Sequence, residues 1–319
     1  MYPDVYCSLN WLGENDKARG VFNQLIAHSE SPAQAADVYF VMIQYIMSHN
    51  LQSPEIWELA HDFCIALGMP PCEVDPPEAL VTEKLTEAVK LLDGRSIDSI
   101  ELGPEDAQLL SQRCIAVLLL PAWYQSSGLV ILLSAQSVIF TLTRGINQFC
   151  GVGLLFFGWF AAQRGVITSA RACALGQLAL RIVDRYPQSA FRGHSYFMYA
   201  SHVHVLMHHP ADCLPYLVHS LKLDIDTMSF YSASFTAILL IETHIIGSPN
   251  LSDAISEAYR YAAMIHSPLR FDDLYSAAYA TALFWSELQV GAAVLYGPAM
   301  FPSPKLAECE AKVRLVQAL

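Results

Sequence analysis

The sequence predicts an all-α fold, a tetratricopeptide-like α-solenoid of antiparallel helix hairpins. Three observations carry this. Apolar residues recur at helical spacing: Ile56, Leu59, Ala60, Phe63 and Leu67 follow i, i+3, i+4, i+7, i+11, and Leu251, Ala254, Ile255, Ala258, Ala262 and Ile265 repeat the pattern. No run shows sustained β alternation bounded by hairpin turns. Stop signals ("SHNLQS", "LGMPP", "LLDGRS", "DRYPQS", "HHPAD", "IIGSPN") return roughly every 15 to 25 residues, the length of a helix plus a short turn.

In chain order, helices are predicted over 16–28, 32–48, 54–67, 77–93, 104–123, 128–143 and 150–164. They continue over 168–185, 190–207, 211–223, 228–246, 252–265, 270–289 and 305–318. Ser31-Pro32-Ala33-Gln34 and Asp75-Pro76-Pro77-Glu78 each read as a cap, a first-turn proline and a side chain reaching back. Ser53-Pro54 and Gly103-Pro104 place proline at the first helical position. After Thr168, Gln177, Arg181, Asp184 and Arg185 gather on one side of the helix, which is therefore the solvated side. Neighbouring helices pair into hairpins of about 34 to 45 residues, the scale of tetratricopeptide-like repeats. No hairpin buries its apolar face alone, so stacked neighbours share a core. The reading divides the chain into N-terminal repeats (1–72), a proline-rich and acidic joint (73–103), a main repeat array (104–300) and a C-terminal helix (301–319).

Composition narrows the function classes. A hydrophobic fraction of 54% with only 15% charged residues excludes disorder over most of the length. A formal net charge of -12 repels phosphate backbones, so nucleic acid is not an expected partner. The eight cysteines form no CxxC pair and sit mostly among apolar neighbours, where a free thiol behaves as a small hydrophobe. The first residues, "MYPDVYCSLNWLGEND", lack a basic region followed by an apolar core. Together these predict a reducing, cytoplasmic setting.

The stretch "CGVGLLFFGWFAAQRG" (150–165) tests the membrane and nucleotide readings. Pro121 and Gln125-Ser126-Ser127 interrupt the uncharged interval before it, leaving apolar runs of about 10 to 15 residues, short of the ~20 that cross a bilayer. Its glycines at 151, 153 and 158 do not match GxGxxG, and no Lys-Ser/Thr follows to hold phosphate. The expectation is a buried helix on which Gly151, Gly158 and Ala162 admit a close neighbour, with Gly158 facing Ala170.

Metal chemistry has one candidate. In "GHSYFMYASHVHVLMHHPADC", His204 and His208 lie four apart, with His209, Asp212 and Cys213 within the next turn. A zinc site needs three or four converging ligands. There is no HExxH, and histidine ahead of Pro210 also suits a helix C-terminus. His204, His208, His209 and Cys213 are therefore the metal candidates of an alternative, metalloenzyme reading, and multi-pass membrane insertion is a second alternative. Glu242 and His244 in "AILLIETHII" form either a buried pair or an exposed helix edge. In "LLDGRSIDSIEL", Arg95 between Asp93 and Asp98 reads as a local ion-pair knot. No catalytic or cofactor-binding residue is assigned, and no cofactor is expected. A groove lined by some of the tyrosines and phenylalanines is expected within 190–246.

Several segments together resemble a known family. They are "KARGVFNQLIAHSESPAQAADVYFVMIQYIMSHN", "ALGMPP", "LLDGRSIDSIEL", "LVILLSAQSVIFTLTRGI", "GWFAAQRGVITSARACALGQLALRIV" and "IIGSPNLSDAISEAYRYAAMI", in that order. The series resembles the tetratricopeptide-like helical region of large fungal and bacterial signalling proteins. Those proteins join a protein-kinase-like domain, a nucleotide-binding ATPase, the helical region, a GAF sensor and a histidine kinase. The resemblance spans most of 16–265. It implies a scaffold for protein–protein interaction or signal relay, partnered by another protein or by neighbouring domains of a larger chain. The ATPase loop, the phosphoacceptor-histidine helix and the glycine-rich lid have no counterpart in this sequence. Ile225-Asp226 stands where the family tends to carry Gly-Asp. The last residues, "CEAKVRLVQAL", end inside a helical pattern, which predicts a fragment.

Overall fold

The computed structural model describes residues 14–49, 52–93, 108–227 and 229–247, with isolated positions outside these ranges. Among the described residues the chain is α-helical and carries no strand. It divides into two compact units, Met1–Phe191 and Arg192–Leu319.

The first unit holds α1 (Asn15–Ala27), α2 (Pro32–His49), α3 (Glu55–Ala66), α4 (Glu78–Leu92), α5 (Gln108–Gln125), α6 (Ser127–Arg144), α7 (Cys150–Gln163) and α8 (Ser169–Arg185). Their starts follow from local chemistry. Gln34 N–H donates to Ser31 Oγ at 3.3 Å while Gln34 Oε1 accepts from Glu30 N–H at 2.8 Å, so the reciprocal cap reaches one residue further back than expected. Ser126 and Thr168 each accept a backbone N–H three residues on, from Leu129 and Arg171. The Asp75 cap is not formed. Pro76 and Pro77 hold the chain extended, with Pro77 at ψ 134°, and α4 starts at Glu78 without a side-chain cap.

Consecutive helices pack in sequence from α1 to α3 and from α5 to α8. Helix α4 is the exception. Its main partner is α6, while α5 packs on α2 and α3. Arg171, on α8, ties down the C-terminus of α4: Nη1 reaches Asp93 Oδ1 at 2.7 Å and Nη2 donates to Leu92 O at 2.5 Å. A guanidinium there satisfies an end carbonyl and offsets the negative end of the dipole. Asp93 is thus held by a residue 78 positions away, while Arg95 and Asp98 of the expected local knot lie outside the described residues.

Helix α5 runs through Pro121 to Gln125, past the predicted end at 123, so the proline does not break the helix. Helix α6 spans 18 residues and is the one described helix long and apolar enough to cross a membrane, longer than the runs expected from sequence. Most of this helix is buried against protein, as the central helix of a bundle also would be. Gln112 of α5 is buried and donates to Thr141 Oγ1 and Cys150 Sγ, both at 3.3 Å, which joins α5, α6 and α7 through satisfied polar atoms.

Helix α7 answers the apolar stretch: Cys150 to Gly158 and Ala161 are all buried. The close approaches are at Gly153 and Gly158. A β-carbon on residue 153 would lie 1.9 Å from Ser137 Oγ, and one on residue 158 would sit 3.5 Å from Ala172 Cα. Gly158 thus faces Ala172 rather than Ala170, which is exposed. The cause is the turn: residues 164–168 add to the loop, so the matching positions stand fourteen residues apart in sequence. Gln177, Arg181, Asp184 and Arg185 are exposed.

The second unit holds α9 (Arg192–Met198), α10 (Leu214–Asp226) and α11 (Phe230–Gly247). The helix predicted over 190–207 leaves the α-helical form after Met198, about two turns in. A π turn over Tyr199–Val203 and a 3-10 turn over His204–Leu206 replace its second half, and a 3-10 turn over Pro210–Cys213 leads into α10. Ser201 Oγ donates to Phe197 O at 2.7 Å, a side-chain bond that competes with the helical ladder and favours the wider turn. Leu217, Leu221, Ala233, Ala237, Leu240 and Ile241 form the core. The helices predicted over 270–289 and 305–318 lie outside the described residues, as does most of 252–265.

Candidate functional site

Two constellations can carry function, one in each unit. In the first unit the C-terminal turn of α5 and the solvent side of α7 bring four aromatic rings together. The Trp123 and Trp159 centroids lie 4.8 Å apart, and those of Trp159 and Phe160 4.4 Å. Tyr124 stacks on Trp123 at 6.4 Å and is 43% exposed. Trp123, Trp159 and Phe160 are half-buried, and beneath them Phe156 is fully buried. Phe156 fixes the ledge edge-on to Trp123 at 5.4 Å, so the outer rings are held by the core. A shallow groove lies on α4, lined by Thr82, Glu83, Thr86, Glu87 and Lys90. These residues share one helix face, and Lys84 pairs with Glu87 at 2.8 Å beside them.

In the second unit the spacing Leu217, Ser220, Leu221, Asp224 places a carboxyl on the buried face of α10. Asp224 is 1% exposed. Burial pushes its carboxyl up to about 7, opposed by the hydroxyls of Ser232, Ser220 and Thr236. Ser220 Oγ donates to Gly193 O at 2.9 Å, and it lies 3.2 Å from Thr236 Oγ1 and 3.5 Å from Asp224 Oδ2. Ser220 has one proton, and the Gly193 carbonyl takes it. Asp224 Oδ2, at 3.5 Å, competes with that carbonyl for the same proton.

The sequence-predicted metal candidates lie close by but point to different partners. His204 and His208 stack with ring centroids 4.1 Å apart, and His204 Nδ1 lies 3.3 Å from Tyr199 Oη. His209 Nδ1 accepts from Ala211 N–H at 3.2 Å, which caps the 3-10 turn. Cys213 Sγ donates to Ala200 O at 3.0 Å, and burial pushes its thiol up to about 11. Among the described residues, no three His, Cys, Asp or Glu side chains converge as metal ligands. Two further histidines are shifted. Burial lowers His194 to about 4, and burial with the nearby His194 lowers His202 to about 4. Both imidazoles are therefore neutral at pH 7.

Glu242 is exposed, while His244 stacks on Tyr261 with centroids 5.6 Å apart, so "ETH" is a helix edge rather than a buried pair. Within 190–246, Tyr199 is fully buried, and Tyr196, Phe197 and Tyr216 are half-buried. Among the described residues, the more exposed aromatic ledge is the one in the first unit. Sequence reasoning passed over it because Trp123 and Trp159 belong to helices whose packing only the tertiary fold sets. Asp224 left a signal, a lone acid at the i+7 position of an apolar stripe.

No protein family, curated protein or solved structure matches the chain.

Proposed function

We propose that the chain is a non-catalytic helical scaffold that holds a basic, apolar-anchored segment of a protein partner, or of a neighbouring domain, on the aromatic ledge. The observation that carries this is the ring cluster of Trp123, Tyr124, Trp159 and Phe160, solvent-facing on one side and fixed by Phe156 on the other. Rigid tryptophan and tyrosine rings lose little entropy on binding and dominate the energetics of protein interfaces. The net charge of -12 steers basic segments towards the surface.

A tetratricopeptide-like stacking is part of the same reading. Supporting it are the packing of α3 on α5, α4 on α6 and α5 on α7, each helix on the next but one, and the small-residue contact of Gly158 with Ala172. The role as the helical region of a multidomain, cytoplasmic signalling protein rests on the ordered series of resembling segments alone.

The test is selection of displayed peptides on the purified chain. Peptides rich in Arg or Lys with Leu or aromatic anchors are the expected class. They should lose at least about tenfold in affinity on Trp159→Ala and Trp123→Ala, the loss typical of a hot-spot side chain. Selected peptides that bind both variants as tightly as the wild type, with thermal melts unchanged, overturn the reading.

A further inference from the structure

Cys64 on α3 and Cys114 on α5, fifty residues apart, meet with Cys72 beside them. Cys64 Sγ lies 3.9 Å from Cys114 Sγ, and the two are 4% and 0% exposed. Both are free thiols. Cys72, in the loop that follows α3, is half-buried beside them, and its backbone N–H points at the Cys64 sulfur. Either sulfur can donate to the other; contact with Cys114 lowers the Cys64 thiol from its ordinary range, burial opposes this, and the Cys72 amide adds to the lowering. Cys114 is pushed well above that range by its contact with Cys64 and by burial, and burial pushes Cys72 up to about 12. Two sulfurs of the three stand in direct contact, and the third cysteine lies beside them.

We propose that Cys64 and Cys114 form a reversible oxidation site, closed to a disulfide by a small peroxide. The Cys64 thiolate attacks one oxygen of hydrogen peroxide, the O–O bond breaks, and hydroxide leaves and takes up a proton as water. Cys64 is now a sulfenic acid. Cys114 then attacks the Cys64 sulfur, the S–O bond breaks, and a second water leaves with the Cys114 proton. In sum, two thiols lose two electrons and two protons, and one peroxide becomes two waters. The sulfur atoms need to close from 3.9 Å to the ~2.05 Å of a disulfide. The bond staples α3 to α5, the helix that carries Trp123 in its last turn. The site is independent of any partner on the aromatic ledge. A dithiol reductant reverses it.

The experiment treats the purified full-length chain with hydrogen peroxide under native conditions. Remaining thiols are blocked by alkylation, and cross-linked peptides are mapped by mass spectrometry. The expected result is a Cys64–Cys114 peptide as the predominant cross-link, retained in Cys72→Ser, absent in Cys64→Ser and removed by dithiothreitol. A predominant Cys64–Cys72 cross-link overturns the pairing. So does oxidation of the other cysteines while Cys64 and Cys114 remain alkylatable. Mapping in the wild-type chain decides these outcomes even if a serine variant fails to fold.

Discussion

The backbone of Gly193 lies directly against the carboxyl of Asp224: a β-carbon on residue 193 would stand 2.0 Å from Oδ1 and 2.6 Å from Cγ. The absence of a side chain on α9 is what lets α10 bury an acid there. Gly193→Ala should therefore destabilise the second unit by about 2–4 kcal/mol, by overpacking or by displacing the carboxyl from its hydroxyl partners. Denaturant unfolding of the variant checks this. A midpoint equal to that of the wild type would show that the contact relaxes without cost.

Asp224 predicts an unusual pH response. Its folded-state value of about 7 exceeds the usual 3.8, so between those values the folded chain holds a proton that the unfolded chain has lost. This contribution is present at low pH and disappears as pH rises to about 7, with a size on the order of 4 kcal/mol. His194 and His202, lowered to about 4 from 6.5, act in the opposite sense: their contribution is present above 6.5 and is lost as pH falls towards 4. His204 and His244 are lowered too and add to the same side. The wild type should lose stability on acidification from pH 6.5 to 4.5. Asp224→Asn, which keeps the neutral shape, should lose it more steeply and be the more stable of the two at pH 8. Equal slopes in urea titrations at several pH values would show that Asp224 titrates normally.

The two glycines of α7 should part company. Gly158→Ala brings a β-carbon to ordinary contact distances from Ala172 and gains helix propensity, so it should be neutral or stabilising by up to ~1 kcal/mol. Gly153→Ala drives a β-carbon to 1.9 Å from Ser137 Oγ and 2.4 Å from Ser137 Cβ, and should cost about 1–3 kcal/mol. Ser137→Ala keeps that β-carbon and should not rescue the variant, whereas Ser137→Gly should. A double-mutant cycle on thermal unfolding measures the coupling.

Arg113 should matter through its stacking more than its charge. The guanidinium sits 4.1 Å from the Phe40 ring centre and 6.0 Å from that of Phe149, and it pairs with the exposed Asp37. Asp37→Ala should cost less than about 1 kcal/mol, as exposed ion pairs do. Arg113→Ala should cost about 1–3 kcal/mol, because it removes the stacked plane and its packed stem from between α2 and α5. If the two variants melt alike, the ion pair rather than the stacking carries the interaction.

The sequence by itself determined the helices. Apolar spacing, Ser31 as a cap and prolines at turns are local quantities, and they set ten of the predicted segments to within a few residues wherever the structure describes them. The failures are also local to read but not local in cause. The 190–207 helix gave way to a π turn because Ser201 bonds back to Phe197 and because Tyr199 packs on Tyr216 from α10 at 5.0 Å. Pro121 was absorbed into α5, where packing on α6 and α7 outweighs the lost backbone bond. Tertiary structure alone decided which helices meet. It moved α4 onto α6, paired Asp93 with Arg171, set Cys64 against Cys114, spread the four metal candidates over separate partners and opened the Trp123–Trp159 ledge. The physical reason is that periodicity states which face of a helix is buried, while the neighbour that covers it is chosen by complementary shape over the whole bundle.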